Sequence, residues 1–293
     1  MQREQTPLQR ILADFGESKI ALAGLALLAL ILFVAVFAPL ISPQNPYDLA
    51  QLDVLDSRLP PGSKSGNGLT FWLGSDDQGR DILSGIFYGL RISLVVGLAS
   101  TLCALLIGLS MGLAAAYFGG RTDGVIMRIV DIQLSFPAIL IALILLALLG
   151  QGIGKTIFAL ITVQWAYYAR TVRSTALIER RKEYMEAALC LALPPARIVF
   201  RHLLPNCLPP LIVIATVQVA AAIALEATLS YLGIGVPITE PSLGLLIKNG
   251  FDYMLSGKYW ISFFPGFALV LTIVSINLVA DQLRDVLNPR LQK

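Results

Sequence analysis

The chain has 293 residues, 56% hydrophobic and only 14% charged, too few charges to cover a water-soluble globule of this length. Its formal charge of +3, from 22 basic and 19 acidic side chains, gives no reason to expect a nucleic-acid partner. A lipid bilayer is the expected surrounding, and what matters is where the few charges fall.

Residues 1–19 are polar, with Arg3, Arg10 and Lys19 set against Glu4, Asp14 and Glu17. The apolar run that follows is too long for a signal-peptide core, and Pro39 directly after Ala38 disfavours cleavage there. Residues 20–42 are therefore expected to stay as a transmembrane helix. Residues 43–91 are too long for a simple connection. They open with Pro43 and Pro46, include the pliable "PPGSKSGNG" (60–68) and end in "GSDDQGRDILSGIFYGL" (74–90). In that last piece Ile82, Leu83, Ile86, Phe87 and Leu90 share a helical face, which predicts an interfacial helix lying on the outer surface before the chain enters the bilayer at Ile92. Gly74, Asp76, Asp77, Gly79, Arg80 and Asp81 just before it cluster carboxylates as a calcium loop does. With Gly79 as the loop glycine, however, Gly74, Asp76 and Gln78 take the first ligand positions, a poor oxygen cage. A turn held by aspartate side chains and Arg80 is expected instead.

Crossing about 30 Å of hydrocarbon takes roughly 20 residues of helix. Further windows of that kind lie at 92–117, 131–149, 155–177, 208–235 and 263–284, giving an all-α chain of six expected spans. "GLSMG" (108–112) has the spacing of a nucleophile elbow but lies inside a span, not at a strand-to-helix turn. Ala104, Gly108, Gly112 and Ala116 form a small-residue stripe there, suited to close helix packing. "GQGIGKT" (150–156) is one residue short of a phosphate loop and follows an apolar helix, so it reads as an outer turn. With His202 the only histidine, neither a metal site nor a serine triad is expected. Cys103, Cys190 and Cys207 lie far apart and read as packing residues.

The mid-span stretches carry almost none of the ionisable groups that proton- or sodium-coupled carriers need near the bilayer centre. Polar positions in and beside the spans are Arg128, Asp131, Glu226, Asn277, Asp281, Arg284 and Asp285, of which Asp131, Asp281, Arg284 and Asp285 fall at inner ends. Glu226 is expected in the outer half of the fifth span, where an unpaired carboxylate is costly, so a hydrogen-bonding partner is expected, with another subunit as one place for it. A passive pore and a path powered by a partner outside the membrane both fit.

The segment "KEYMEAALCLALPPARIVFRHLLPN" (182–206) interrupts the apolar runs. Residues 183–193 read as an Ala- and Leu-rich helix stopped by Pro194 and Pro195. Pro195 can open a second short helix that Pro205 ends, and Arg197 and Arg201 share its face. With a cytoplasmic N-terminus, fifteen Lys and Arg residues fall inside and seven outside, so both termini and this segment are expected in the cytoplasm.

"EAALCLALPPARIVFRHLLPN" (186–206) resembles the EAA motif of ABC-importer permeases, with Glu186, Ala187, Ala188, Leu204 and Pro205 matching, His202 where the consensus has isoleucine, and Ala192 where it has glycine. "LGSDDQGRDILSGIFYGLRISL" (73–94), "MRIVDIQLSFP" (127–137), "EATLSYLGIG" (226–235) and "FPGFALVLTIVSINLVADQLRDVLNPR" (264–290) are similar to blocks of the C-type permease subunit of peptide and nickel importers. The resemblance implies a multi-pass protein of the bacterial inner membrane in which residues 92–293 form the importer's transmembrane domain. Segment 183–205 would couple it to ATPase subunits through Glu183, Glu186, Ala187, Ala188, Ala192, Arg197, Arg201, His202 and Pro205. It also implies a homologous B-type permease as heterodimer partner, two ATPases that use ATP and Mg, and a solute-binding protein. The chain itself would be no enzyme and bind no cofactor.

Overall fold

The computed structural model describes residues 13–66 and 68–287. Expectations for 1–12, Asn67 and 288–293, including Arg3, Arg10, Arg290 and Lys293 in the count of basic residues, lie outside the described residues. The helices are α1 (Lys19–Ile41), α2 (Ile82–Phe118), α3 (Gly120–Leu134), α4 (Ala138–Leu149), α5 (Ile153–Glu179), α6 (Glu183–Cys190), α7 (Pro195–Arg197), α8 (Leu204–Tyr231), α9 (Leu243–Met254) and α10 (Trp260–Leu287). A π-helical turn, Ile198–Leu203, joins α7 to α8 without a break. Between α1 and α2 a small antiparallel hairpin pairs β1 (Ser63–Lys64) with β2 (Thr70–Phe71), Ser63 opposite Phe71.

Among the described residues, α1, α2, the continuous run Pro195–Tyr231 and α10 are each long and apolar enough to cross a membrane. The window expected as one span over 131–149 is instead split into α3 and α4, bent by 89°. Pro137 causes the break: it has no N–H to donate, and its ring disfavours helical geometry at Phe136. With 12 residues, α4 alone is about 18 Å long, short of a bilayer core. At 27 residues α5 has the length for a further crossing, but Gln164, Arg170 and Arg173 make it less apolar than the others.

The largest departure from expectation is at the start of α2. No break occurs at Ile92; the helix runs for 37 residues from its N-cap Asp81, about 55 Å at 1.5 Å per residue. Ile82, Ile86 and Leu90 do share a face, but that face is buried at 2%, 7% and 5% exposure, in a cluster with Ile223, Leu243, Trp260 and Ile261. The apolar stripe is thus covered by α8, α9 and α10 and not by headgroups. At the other end of the molecule Leu113, Tyr168, Val172, Met185, Leu203 and Leu211 form a second cluster between α2, α5, α6 and α8.

The stripe on α2 lies against α5. Ala104 and Ala116 are fully buried, and a Cβ on Gly108 would meet Trp165 O and Tyr168 Cβ at 2.5 Å. One on Gly112 would meet Ala169 O at 2.6 Å. The absence of side chains there sets how closely the two longest-packed helices approach.

Candidate functional site

The charged segment after α5 begins with a helix whose two sides differ. Glu183 and Glu186 lie in the first turn of α6, where carboxylates suit the positive end of the helix dipole. Met185 and Ala188, three apart on one side of the helix, are 2% and 3% exposed, and Met185 packs in the second core cluster. Glu183, Glu186, Ala187, Leu189, Cys190 and Leu191 are exposed. Ala188, expected beside Ala187 in one surface motif, therefore belongs to the mounting side of the helix. Leu189 is 56% and Leu191 73% exposed, and Phe200 further on is 67% exposed.

Ala192 explains the glycine of the motif. Leu193 N donates to Ala188 O at 3.3 Å and Ala192 N to Leu189 O at 2.9 Å, the paired bonds of a Schellman ending, which places Ala192 in the left-handed region with φ +50°. Glycine takes that conformation freely, whereas alanine is strained in it. Pro195 then opens α7 as expected. Pro205 does not close it: the π turn carries the chain into α8, with Leu204 N donating to Val199 O. Pro205 sits directly after the π turn, whose i to i−5 bond already departs from the regular ladder and accommodates a residue without an N–H. Asn206 Nδ2 donates to His202 O at 2.7 Å, supplying a partner near that turn. Arg197 and Arg201 are exposed and His202 is half-buried.

The segment is tied to the spans at both ends. Arg180 donates to Ala116 O and, at 3.1 Å, to Tyr117 O, closing the end of α2. Glu179, only 8% exposed, accepts from Lys182 Nζ and from the Tyr184 hydroxyl, each at 2.7 Å. Burial, then the hydrogen bond to Glu179 and its charge, push the Tyr184 hydroxyl up to about 12, so it remains a donor. Glu179 and Asn206 line a cavity of about 830 Å³ between α5, α8 and α10, together with Asp281 and Arg284 of α10. Asp285 is exposed and Asn277 half-buried on the same helix. Arg128 is exposed on α3, whereas Asp131 and Asp123 pair with Arg170 and Arg173 of α5; the Arg173–Asp123 bridge is bidentate at 2.5 and 2.6 Å.

At the far end of α2 the Asp76–Asp81 turn is built by backbone capping. Asp76 Oδ1 accepts from Gln78 N and Arg80 N, both at 2.8 Å. Asp81 Oδ2 accepts from Ser84 N at 2.8 Å and Ser84 Oγ at 2.6 Å. Gly74 and Gly79 have φ of +88° and +75°; a side chain on Gly79 would strike Asp53 O. Arg80 contributes through its backbone, and its Nε, like Asp77 Oδ1 and Asp76 Oδ2, is buried with no partner among the described residues. Burial pushes the Asp76 carboxyl up to about 6 and raises Asp81 as well. Among the described residues no group of acidic, histidine or cysteine side chains could hold a metal ion.

Glu226 finds its partners inside the chain, not on another subunit. It is fully buried, accepting from Ser93 Oγ of α2 and Ser230 Oγ of α8, each at 2.8 Å. Ser230 is four residues on along the same helix, within reach of a helical-spacing argument, whereas Ser93 is 133 residues away and only packing brings it to Glu226. Tyr184 and Asn206 lie inside segment 182–206 and Glu179 just before it, but nothing in their spacing marks them as partners of one another.

The sequence profile of the family described as "Binding-protein-dependent transport system inner membrane component" matches residues 104–293. The chain belongs to that family. A second profile, "N-terminal TM domain of oligopeptide transport permease C", matches residues 6–61. The permease is 36% identical over 287 residues to the di/tripeptide transport system permease protein DppC of Pseudomonas aeruginosa (strain UCBPP-PA14), covering 98% of this chain and 93% of that one. It is 37% identical over 279 residues to the oligopeptide transport system permease protein OppC of Bacillus subtilis (strain 168), covering 95% and 88%. In fold it is similar to a chain of the inward-facing MetNI methionine ABC transporter, with TM-score 0.57, 21% identity and coverage of 71% of this chain and 98% of that one. As a multi-pass permease of an ABC importer, it is a transport subunit and not itself an enzyme. Within the permease, α6 is joined to the cavity wall by two hydrogen bonds to Glu179, from Tyr184 and from the N-cap residue Lys182.

Proposed function

We propose that the permease pairs with a homologous B-type permease to form the path of an ATP-driven importer for peptides or similarly small solutes. A solute-binding protein delivers the solute from outside, and two ATPase subunits, which use ATP and Mg, dock on segment 183–205. The observation that carries this reading is the two-sided α6: Met185 and Ala188 are anchored, while Glu186, Ala187, Leu189 and Leu191 stand uncovered beside basic residues. Exposed leucines on an aqueous surface call for a protein partner. The excess of Lys and Arg at this end favours a bilayer orientation with both termini in the cytoplasm of the bacterial inner membrane. The solute class is supported by the names of the di/tripeptide and oligopeptide relatives.

On the opposite face Val54, Leu55 and Trp72 are 78%, 88% and 66% exposed, and we assign this part of the 43–81 segment as the platform for the binding protein. Co-expression with the companion subunits and purification in detergent tests the assembly. ATPases are expected in stoichiometric amounts with the wild-type chain and to be lost with Glu186→Lys, while cysteines at Val54 and Trp72 cross-link to the binding protein. A purified chain that retains no ATPase and conducts ions alone would make it a pore.

A further inference from the structure

Three helices meet at one hydroxyl. Tyr184 of α6 donates to Glu179 Oε2 at the end of α5, at 2.7 Å, and accepts from Asn206 Nδ2 in the first turn of α8, at 3.2 Å. Lys182 holds the other oxygen of Glu179 at 2.7 Å, and Asn206 also donates to His202 O at 2.7 Å. Glu179 and Asn206 face the cavity of about 830 Å³, and Tyr184 does not line it. The hydroxyl therefore stands between the proposed docking helix and two walls of the cavity.

We propose that the Tyr184 hydroxyl is the contact through which movement of α6 sets the separation of α5 and α8 at the cavity mouth, so that Tyr184 is a positioning residue for transport. This rests on the reading that α6 docks an ATPase. The apolar side of α6, Met185 and Ala188, is held by non-directional contacts that tolerate sliding. Hydrogen bonds do not: the 3.2 Å bond from Asn206 weakens steeply once the groups separate or tilt. Glu179 is buried, and releasing a buried carboxylate from its donors is costly, so α5 follows Tyr184 instead of parting from it. On the α8 side the π turn Ile198–Leu203 supplies a place where helical register can yield, as such turns do at functional sites.

The test uses the complete complex with its companion subunits in nanodiscs, with Cys103 and Cys190 replaced by serine. Spin labels at Thr175 on α5 and Val217 on α8, both on the cavity wall, report the mouth. In the parent complex, trapping with ATP and vanadate should change the label distance. Tyr184→Phe removes only the hydroxyl; it should keep its ATPases and hydrolyse ATP, yet lose the nucleotide-dependent distance change. Glu179→Gln keeps an oxygen acceptor for Tyr184 and should retain that change. An undiminished change in Tyr184→Phe overturns the proposal, and so does loss of the ATPases from that variant, which would make the hydroxyl a docking group. Loss of the change in Glu179→Gln with its retention in Tyr184→Phe, hydrolysis being intact in both, would assign transmission to the Glu179 charge and reject the hydroxyl. Absence of ATPases from the parent complex rejects the importer reading itself, an outcome distinct from failure of the Tyr184 contact alone.

Discussion

Replacing Ala192 by glycine should stabilise the end of α6, contrary to the usual effect of glycine near a helix. Ala192 holds φ +50° at the position after the C-cap Leu191, a conformation that costs an L-residue about 1–2 kcal/mol. Glycine removes that strain but gains backbone freedom when the turn opens, which returns about 0.4–1 kcal/mol. The balance favours glycine by about 1 kcal/mol, or about fivefold in the local opening equilibrium. Ala192 is exposed and no packing is altered, so the effect is one of backbone alone. Hydrogen exchange at the amides of Ala192 and Leu193, which close onto Leu189 O and Ala188 O, is the assay. Both should exchange several-fold more slowly in Ala192→Gly, and Ala192→Val, β-branched at positive φ, should exchange faster than the parent. Equal or faster exchange in the glycine variant would refute the argument from strain.

Three further outcomes follow from the packing. Burial lets the folded Asp76 carboxyl keep its proton up to about pH 6, against 3.8 for an aspartate in water. Stability from this group is therefore complete below about pH 4 and falls by up to about 3 kcal/mol as pH rises through 6. Asp76→Asn, which retains the Oδ1 acceptor, should abolish that pH dependence in intrinsic-rate-corrected exchange of the 43–81 amides and protect them at pH 7. Gly112→Val should lower the thermal midpoint of the purified permease strongly, since its Cβ would meet Ala169 O at 2.6 Å and Val172 Cβ at 2.7 Å, with a cost of about 3 kcal/mol. Glu226→Gln should fold nearly as the parent because it can still bond Ser93 and Ser230, whereas Glu226→Leu strands both hydroxyls and should cost about 2 kcal/mol in the same melt.

Much of the site was legible because it depends on local rules. Pro194 and Pro195 had to end α6, Pro195 could open the next helix, and the motif glycine marked a turn whose residue adopts positive φ. Pro205 misled because its effect depends on what precedes it: next to a π turn it sits where a donor is not needed. Ala188 misled for a different reason, since a pattern of small residues gives their spacing but not which of them face inward.

Sequence alone determined the solvent, the apolar segments, the small-residue stripe and the charged, proline-interrupted segment at 182–206, since each follows from composition or from periodicity within about 20 residues. Tertiary structure alone decided where the apolar faces are spent. The Ile82, Ile86 and Leu90 face has the same amphipathic pattern whether headgroups or protein cover it, and only the arrival of Leu243, Trp260 and Ile261 from more than a hundred residues away settles the matter. Glu226 and Glu179 are alike in this respect. A buried carboxylate must find donors, but chain connectivity does not say which, and Ser93 and Tyr184 become those donors through helix packing.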